Sequence, residues 1–483
     1  MANKRTKIVC TVGPATEDDN ILRQMILAGM DVARLNFSHG THEYHRQNIE
    51  RVRRIADELG ANVAIMVDTK GPEIRTRETV GHVPVQLTAG EEVTVTAQEV
   101  PSAPGLVALD YSSLAKEVSP GNVIFIDDGL IGLEVVGIDG DDVRCVVTNG
   151  GQVDEHKGVN VPKVKVGLPA VTDRDREDIR FSCQMGVDAI AASFVRDADA
   201  VREIKALCKE YGAPDTLIIS KIESSHAVDN IKEIVAVSDG IMVARGDLGV
   251  EIPPATVPQV QKDVIKRCNS EYRPVIVATQ MLESMTHNPR PTRAEVTDIA
   301  NAIYDGADCV MLSGETAAGY YPVEAVRMMA EVCMEAEKDL PERNEYHDRG
   351  GRRNVSGATG YAAVGAAALV GAKALVCPTM SGRTARIMSA FRPKLPILAM
   401  LPSARAARRT CFIWGVDGYV VDEQSRVMQT CYKSVKKAKE LGVLKTDDLV
   451  VITAGDPLSS PLLEGERVSS KTSTNLFVIA QVM

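Results

Sequence analysis

Leu217-Ile-Ile-Ser-Lys-Ile-Glu223 reads as a β-strand that is apolar for most of its length and then presents a lysine and a carboxylate. Residues two apart on a strand point to the same face, so Lys221 and Glu223 leave one side of a segment that otherwise belongs in a core. A continuous apolar run, rather than strict alternation, suits a strand of a parallel sheet covered on both faces. The charged residues then mark its C-terminal end.

Seven other runs of this type recur: Lys7-Ile-Val-Cys-Thr11, Val32-Ala-Arg-Leu-Asn36, Val63-Ala-Ile-Met-Val-Asp68, Ala189-Ile-Ala-Ala-Ser-Phe194, Ile241-Met-Val-Ala-Arg-Gly-Asp247, Val275-Ile-Val-Ala-Thr-Gln280 and Cys309-Val-Met-Leu-Ser-Gly-Glu315. Helix-like stretches such as Tyr44 to Leu59, Ala200 to Glu210 and Ala294 to Tyr304 separate most of them. Eight βα units predict an α/β chain with a closed (β/α)8 TIM barrel, whose functional residues stand at the C-terminal ends of the strands. Asn36, Asp68, Lys221, Glu223, Asp247, Thr279 and Ser313 are the residues so placed. An open doubly wound sheet would also carry polar residues at strand ends and is the competing fold.

The third and fourth runs are separated by about 120 residues, far more than a βα loop holds. Gln86 to Thr96, Val123-Ile-Phe-Ile126 and Arg144-Cys-Val-Val147 read as short strands within that gap, with Asp- and Gly-rich turns between them. They predict a small β-barrel domain, residues 71–166, inserted as a lid on the catalytic face of a barrel formed by residues 1–70 and 167–343. The polar stretch from Asp348 to Asn354 reads as a linker, and α/β alternation resumes beyond it. Residues 344–483 are therefore expected to form a C-terminal α/β domain with a regulatory role.

The 483 residues are 45% hydrophobic and 25% charged, with a formal net charge of −10. That acidic balance speaks against nucleic acid and membrane surfaces as partners, which favour basic footprints, and leaves small solutes. The N-terminal Met-Ala-Asn-Lys-Arg-Thr-Lys7 runs into a strand without a signal-peptide core. Ten cysteines occur without a Cys-x-x-Cys pair. Both features suggest a cytoplasmic chain with reduced thiols.

Glu223 and Asp247 end neighbouring strands, and two hard oxygen ligands with room for water and phosphate suit Mg²⁺. Lys221 adds positive charge beside them, although a plain ion pair with a carboxylate would also explain it. Arg34, Asn36, Ser38 and His39 run off the second strand into a glycine-containing turn, and Arg75 follows the third. Forked arginine donors match phosphate oxygens. Such a set fits phosphoryl transfer, where catalysis is mostly positioning and charge neutralisation. The pair Thr292 and Glu295 is a capping box, for which starting a helix is explanation enough. Thr379-Met-Ser-Gly-Arg-Thr384 follows a strand and opens a helix, a place that favours anions but also an ordinary turn.

The chain closely resembles the pyruvate kinase family through Thr6-Lys-Ile-Val-Cys-Thr-Val-Gly-Pro-Ala15, Arg34-Leu-Asn-Phe-Ser-His-Gly40, Asp68-Thr-Lys-Gly-Pro-Glu-Ile-Arg75, Ile219-Ser-Lys-Ile-Glu223, Met242-Val-Ala-Arg-Gly-Asp-Leu-Gly-Val-Glu251, Ala278-Thr-Gln-Met-Leu-Glu-Ser-Met285 and Met311-Leu-Ser-Gly-Glu-Thr-Ala317. The resemblance implies transfer of the phosphoryl group of phosphoenolpyruvate to ADP, giving pyruvate and ATP, as the final step of glycolysis in a homotetramer. It implies that Lys221 and Arg34 face the transferring phosphoryl group and that Glu223 and Asp247 hold Mg²⁺ or Mn²⁺. Lys221 and Glu223 would then grip the substrate separately instead of pairing. Gly246 and Thr279 would contact phosphoenolpyruvate, Asn36, His39, Arg75 and Lys157 the nucleotide, and Thr279 or Ser313 would relay the enolate proton.

The resemblance further implies a K⁺ site at Asn36, Ser38, Asp68 and Thr69. Members that carry Glu where this chain has Glu73 need K⁺, whereas those with Lys do not. An effector site is implied at Thr379, Ser381, Gly382, Arg383 and Thr384, for a sugar phosphate or AMP. The late loop that completes it, Gly455 to Thr474, is longer and more acidic here than the family's glycine-rich form. The competing functions are a (β/α)8 carbon–carbon lyase and a silent binder of phosphometabolites, and ADP-dependent pyruvate formation separates both from a kinase.

Overall fold

The computed structural model describes residues 4–341, 354–422, 427–455 and 474–483. Eight parallel strands close on themselves: β1 (Lys7–Thr11), β2 (Val32–Asn36), β3 (Ala64–Asp68), β4 (Ala189–Ala192), β5 (Leu217–Ile222), β6 (Gly240–Ala244), β7 (Val275–Ala278) and β8 (Cys309–Leu312). Each strand pairs with the next in sequence, and β8 pairs with β1, so the open doubly wound sheet is excluded. The register sets Asn36 beside Asp68 at the top of β2 and β3.

The strands are shorter than the apolar runs suggest. Phe194, Thr279 and Gln280 have φ of 52°, 67° and 53°, which takes the chain out of the ladder just past β4 and β7. After β6 the helix Arg245–Glu251 begins at once, so Asp247 stands in a helical first turn rather than on a strand.

Successive side chains alternate between two cores, as a strand requires. Val9, Val32, Met66, Ile219, Met242, Ile276 and Met311 fill the inside of the barrel, while Ile8, Cys10, Ile65, Ile190 and Ile218 face the surrounding helices. Fully burying an aliphatic side chain of this size stabilises by about 1.5–3 kcal/mol. The inner layer is closed at the bottom by Cys411 and Phe412, contributed from far along the chain.

Between β3 and β4 lies an antiparallel-rich sheet with its own core, in the order Ile74–Arg75, Gly158–Asn160, Val123–Ile126, Ile131–Asp139, Asp142–Asn149, Glu92–Thr96, Leu106–Ala108. Its two outer strands meet through the Thr76–Leu109 bridge, with Arg77 N–H donating to Ala108 O at 2.8 Å, so the sheet curls round on itself. The chain enters it through Gly71, at φ 73°, where an added Cβ would lie 2.8 Å from the Ser193 Cβ. Only glycine fits that backbone and that approach.

A second sheet follows the barrel, ordered Val416–Val420, Ile397–Leu401, Ala374–Pro378, Leu449–Ala454, Leu476–Gln481, with only the last strand antiparallel. The linker through Arg353 lies outside the described residues. All ten cysteines are buried and unbonded to one another. No helix among the described residues is long and apolar enough to cross a membrane.

This sheet docks on the lower end of the barrel through arginines, one of them buried. Arg392 donates to Asp308 Oδ1 at 2.9 Å and to Gly306 O at 2.6 Å, and lies over the Trp414 ring. Arg405 and Arg408, on the helix Ala404–Arg409 that the sequence pattern did not reveal, reach Val187 O and Asp188. Arg392→Met leaves Asp308 buried without its cation and is expected to destabilise the chain by about 3–5 kcal/mol. Chemical unfolding should show a lowered midpoint, and an unchanged midpoint would show that this pair does not hold the docking.

Candidate active site

Four charged side chains meet just inside the upper rim. Lys221 Nζ donates to Glu223 Oε1 at 2.7 Å and to Ser193 Oγ at 2.8 Å, and lies 3.2 Å from Asp68 Oδ1. Asp68 Oδ2 accepts from Arg34 Nε at 2.7 Å, and Arg34 Nη1 donates to Thr11 Oγ1 at 3.0 Å. Glu223 Oε2 accepts the Phe194 N–H at 2.6 Å. The Asp68 and Glu223 side chains are 1% exposed and that of Lys221 is 12% exposed.

Lys221 and Glu223 therefore pair directly, as the plain ion-pair alternative anticipates. The reason is the strand geometry itself: the two leave β5 on one face, and a carboxylate buried this deeply needs a cation or a metal beside it. Burial pushes Glu223 up to about 7, with Lys221 opposing the shift and Asp247 adding to it. Burial would lower Lys221, but Asp68 and Glu223 outweigh it and keep the ammonium charged. Burial would likewise raise Asp68, and Arg34 and Lys221 hold it below the usual carboxylate range.

Asp247 reaches this cluster from its helix, close enough to raise Glu223, Asp128 and Glu251. Among the described residues no group of three or more His, Cys, Asp or Glu side chains could cage a metal alone. Two carboxylates, one of them buried and raised first by that burial and then by its neighbour, fit a divalent cation that keeps water and substrate as its other ligands.

Next to Asp247, the Gly246 N–H donates to Thr279 Oγ1 at 2.9 Å, and that hydroxyl donates to Ala278 O at 2.6 Å. A β-branched residue at positive φ is strained. Arg245 braces it, donating to Thr279 O at 2.7 Å and Ala278 O at 3.2 Å while bonding Asp298. Ser313 follows β8 directly, with its N–H on Glu315 Oε2 at 2.7 Å. The Thr292–Glu295 capping box is present, and Glu295 also accepts from Ser284.

Asn36 ends β2 and Ser38 and His39 stand on the turn after it, where Asn36 Oδ1 accepts the Ser38 N–H at 3.2 Å. Thr69 follows Asp68 directly, so these oxygens gather at the adjoining ends of β2 and β3. Arg75 and Lys157 come from the inserted domain and line, with Asp247, Asp128 and Glu251, a cleft of about 300 Å³ below it. Arg75 is paired with Glu73 and donates to His156 O at 2.5 Å, and Lys157 Nζ lies 3.1 Å from Asp127 Oδ1. The inserted domain rests on the barrel through Asn160 Nδ2 to Glu251 Oε1 at 3.0 Å and through Arg196, which donates to Val166 O and Leu168 O.

Far from this mouth, Thr379 to Thr384 form a turn into the helix Arg383–Ala390, with Gly382 at φ 79°. Ser381 and Arg383 are exposed, but Thr384 is buried and its hydroxyl bonds Thr474 Oγ1 at 2.9 Å. The expected late loop lies, apart from its end residues, outside the described residues.

Sequence reasoning missed Ser193 and Arg245. Ser193 bridges Lys221, Thr69 O at 2.7 Å and Asp68 Oδ1 at 3.1 Å. Its only signal was its place at the end of the fourth run, where a small hydroxyl looks like ordinary strand chemistry.

A barrel whose mouth combines a charged lysine and arginine with buried carboxylates, beside an inserted β domain, defines a phosphotransferase of the (β/α)8 class. The family model described as pyruvate kinase, barrel domain, matches residues 3–326, and that described as pyruvate kinase, alpha/beta domain, matches residues 357–478. The chain belongs to the pyruvate kinase family and is an enzyme of that activity. The pyruvate kinase of Staphylococcus saprophyticus is 47% identical over 458 residues, covering 94% of this chain and 78% of that protein. That of Bacillus licheniformis is 47% identical over 456 residues, with the same coverage. A crystal structure of a pyruvate kinase from Cryptosporidium parvum matches with a TM-score of 0.91 at 38% identity, covering 99% of this chain and 96% of that one.

Ser193→Ala removes one of the three oxygens around the Lys221 ammonium. A hydrogen bond to a charged group contributes about 1.5–3 kcal/mol, so kcat should fall by about 10- to 100-fold. Steady-state assays with unchanged thermal stability would support this, and wild-type kcat would show that Ser193 does not place the lysine.

Proposed function

We propose that the enzyme transfers the phosphoryl group of phosphoenolpyruvate to ADP, giving pyruvate and ATP, as the final step of glycolysis in the cytoplasm. The observation that carries this reading is the Lys221 ammonium, buried yet kept charged against Asp68 and Glu223 at the barrel mouth. Lys221 and Arg34 present positive charge to the phosphoryl group as it moves, with Asp68 orienting both. Glu223 and Asp247 would hold Mg²⁺ or Mn²⁺, whose charge supplements that of the lysine on the phosphoryl oxygens.

Gly246 and Thr279 bind phosphoenolpyruvate once their mutual hydrogen bond gives way to it. Thr279 or Ser313 supplies a hydroxyl for protonating the enolate, Thr279 being held by Arg245. Asn36, His39, Arg75 and Lys157 bind the nucleotide, the last two from the lid of residues 71–166. That lid closes over the barrel of residues 1–70 and 167–343 and excludes water. Asn36, Ser38, Asp68 and Thr69 hold K⁺. The domain of residues 344–483 binds a phosphorylated effector, a sugar phosphate or AMP, at Thr379, Ser381, Gly382, Arg383 and Thr384, within a homotetramer.

Lys221→Met should lower phosphoryl transfer by about 10³-fold or more while leaving Mn²⁺ binding, followed by proton relaxation, close to wild type. Turnover near wild type in that variant would sink the assigned role, and pyruvate formation without ADP would favour a lyase. With Glu73 in place, omission of K⁺ should remove most of the activity, and Glu73→Lys should restore it without K⁺. Equal rates with and without K⁺ in the parent enzyme would refute the cation site.

A further inference from the structure

His45 lies one turn into the helix His42–Glu58, directly after the turn that carries Asn36, Ser38 and His39, and is 4% exposed. Its Nε2–H donates to the His39 carbonyl at 2.8 Å. Its ring stacks on Phe37, with centroids 4.2 Å apart and planes at 20°. Phe37 in turn donates its N–H to Asp68 O at 2.9 Å and accepts from Arg174 Nη2 at 2.9 Å. The carbonyls of this turn are thus held from two sides, by an arginine and by an imidazole.

A carbonyl oxygen only accepts, so the proton of the imidazole sits on Nε2 and Nδ1 is bare. That Nδ1 is buried without a hydrogen-bond partner among the described residues. Burial holds the ring below the ordinary histidine value, against the opposing pull of the His39 carbonyl, so the ring stays neutral. A protonated ring would bury a second N–H with nothing to receive it. His42, Arg174, Glu177 and Asp178 border the small cavity beside it. His42 is already bonded to Asp178 at 2.6 Å.

An orphaned buried nitrogen is unfavourable for the fold. An apolar side chain of similar size would stack on Phe37 and remove the orphan. What leucine cannot do is hold the His39 carbonyl.

We propose that His45 is a positioning residue whose hydrogen bond to His39 sets the turn Asn36–Thr41 for the monovalent cation and the nucleotide. This rests on the reading of that turn as the K⁺ and nucleotide site. The geometry makes the effect local: Asn36 and Ser38 are three residues and one residue from His39, whose carbonyl is held, whereas Lys221, Glu223 and Asp247 belong to the fifth and sixth βα units.

The test uses the full chain as His45→Leu and His45→Gln, the amide of Gln reproducing an Nε2 donor. His45→Leu should raise the K⁺ activation constant and the KM for ADP by about ten-fold, leave the KM for phosphoenolpyruvate within about two-fold, and unfold at the same or a higher temperature. His45→Gln should keep both constants near those of the parent. A parent enzyme activated by K⁺ whose Leu variant shows the same K⁺ and ADP constants overturns the inference alone. A Leu variant that merely loses stability, with unchanged constants, also overturns it. A parent indifferent to K⁺ overturns the underlying cation reading and the inference with it.

Discussion

Arg34, Asp68, Lys221 and Glu223 are buried side by side at the rim of the barrel, and their mutual neutralisation is the constraint around which the mouth is built. Removing a charge from water is strongly unfavourable unless a partner replaces the hydration. Two cations and two carboxylates, drawn from β2, β3 and β5 and the residue after it, satisfy one another through direct bonds and the Ser193 hydroxyl. The set is balanced in number, yet Asp247 adds a further negative charge close by, which reinforces the upward shift that burial gives Glu223. Under the proposed function, a substrate phosphate with its metal would meet a site that already has matched charges in fixed places, and would need only to exchange partners with them.

The backbone around this cluster departs from regular structure where the chemistry demands it. Phe194, Thr279 and Gln280 take positive φ immediately past their strands, and Gly71 turns the chain into the inserted domain against Ser193 with no room for a side chain. These irregularities persist because the barrel around them is closed and tightly packed. At the opposite end Phe412 and Cys411 fill the bottom of the same inner core, so the second sheet is continuous in packing with the layers beneath the mouth. The turn of residues 379–384 stands beside that plug: a Cβ at Gly382 would lie 3.5 Å from Thr410 Cγ2.

Much of the fold was legible because its signals are local. Each of the eight runs carries its own apolar continuity, β1 and β2 match the structure to the residue, and the others differ only at their ends. Those ends were misjudged because a strand stops where the backbone turns, and Phe194 and Thr279 look no different in sequence from residues that stay in the ladder. The helix Ala404–Arg409 was hidden by its shortness and by arginines that face the barrel rather than water. Lys221 and Glu223 were correctly placed on one face, but whether they pair depends on what else lies near them.

The order and period of the apolar runs, by themselves, determined eight βα units with an insertion after the third strand and polar residues at the strand ends, since strand and helix periodicity are written in neighbouring residues, while closure into a barrel rather than an open sheet was decided by the pairing of β8 with β1. Only the tertiary structure decided that Ser193 would sit on Lys221, that Asp247 would approach from a helix, and that Arg245 would brace Thr279. Ser193 and Asp68 are 125 residues apart in the chain, and such contacts exist only because the sheet closes and brings distant strand ends to one rim.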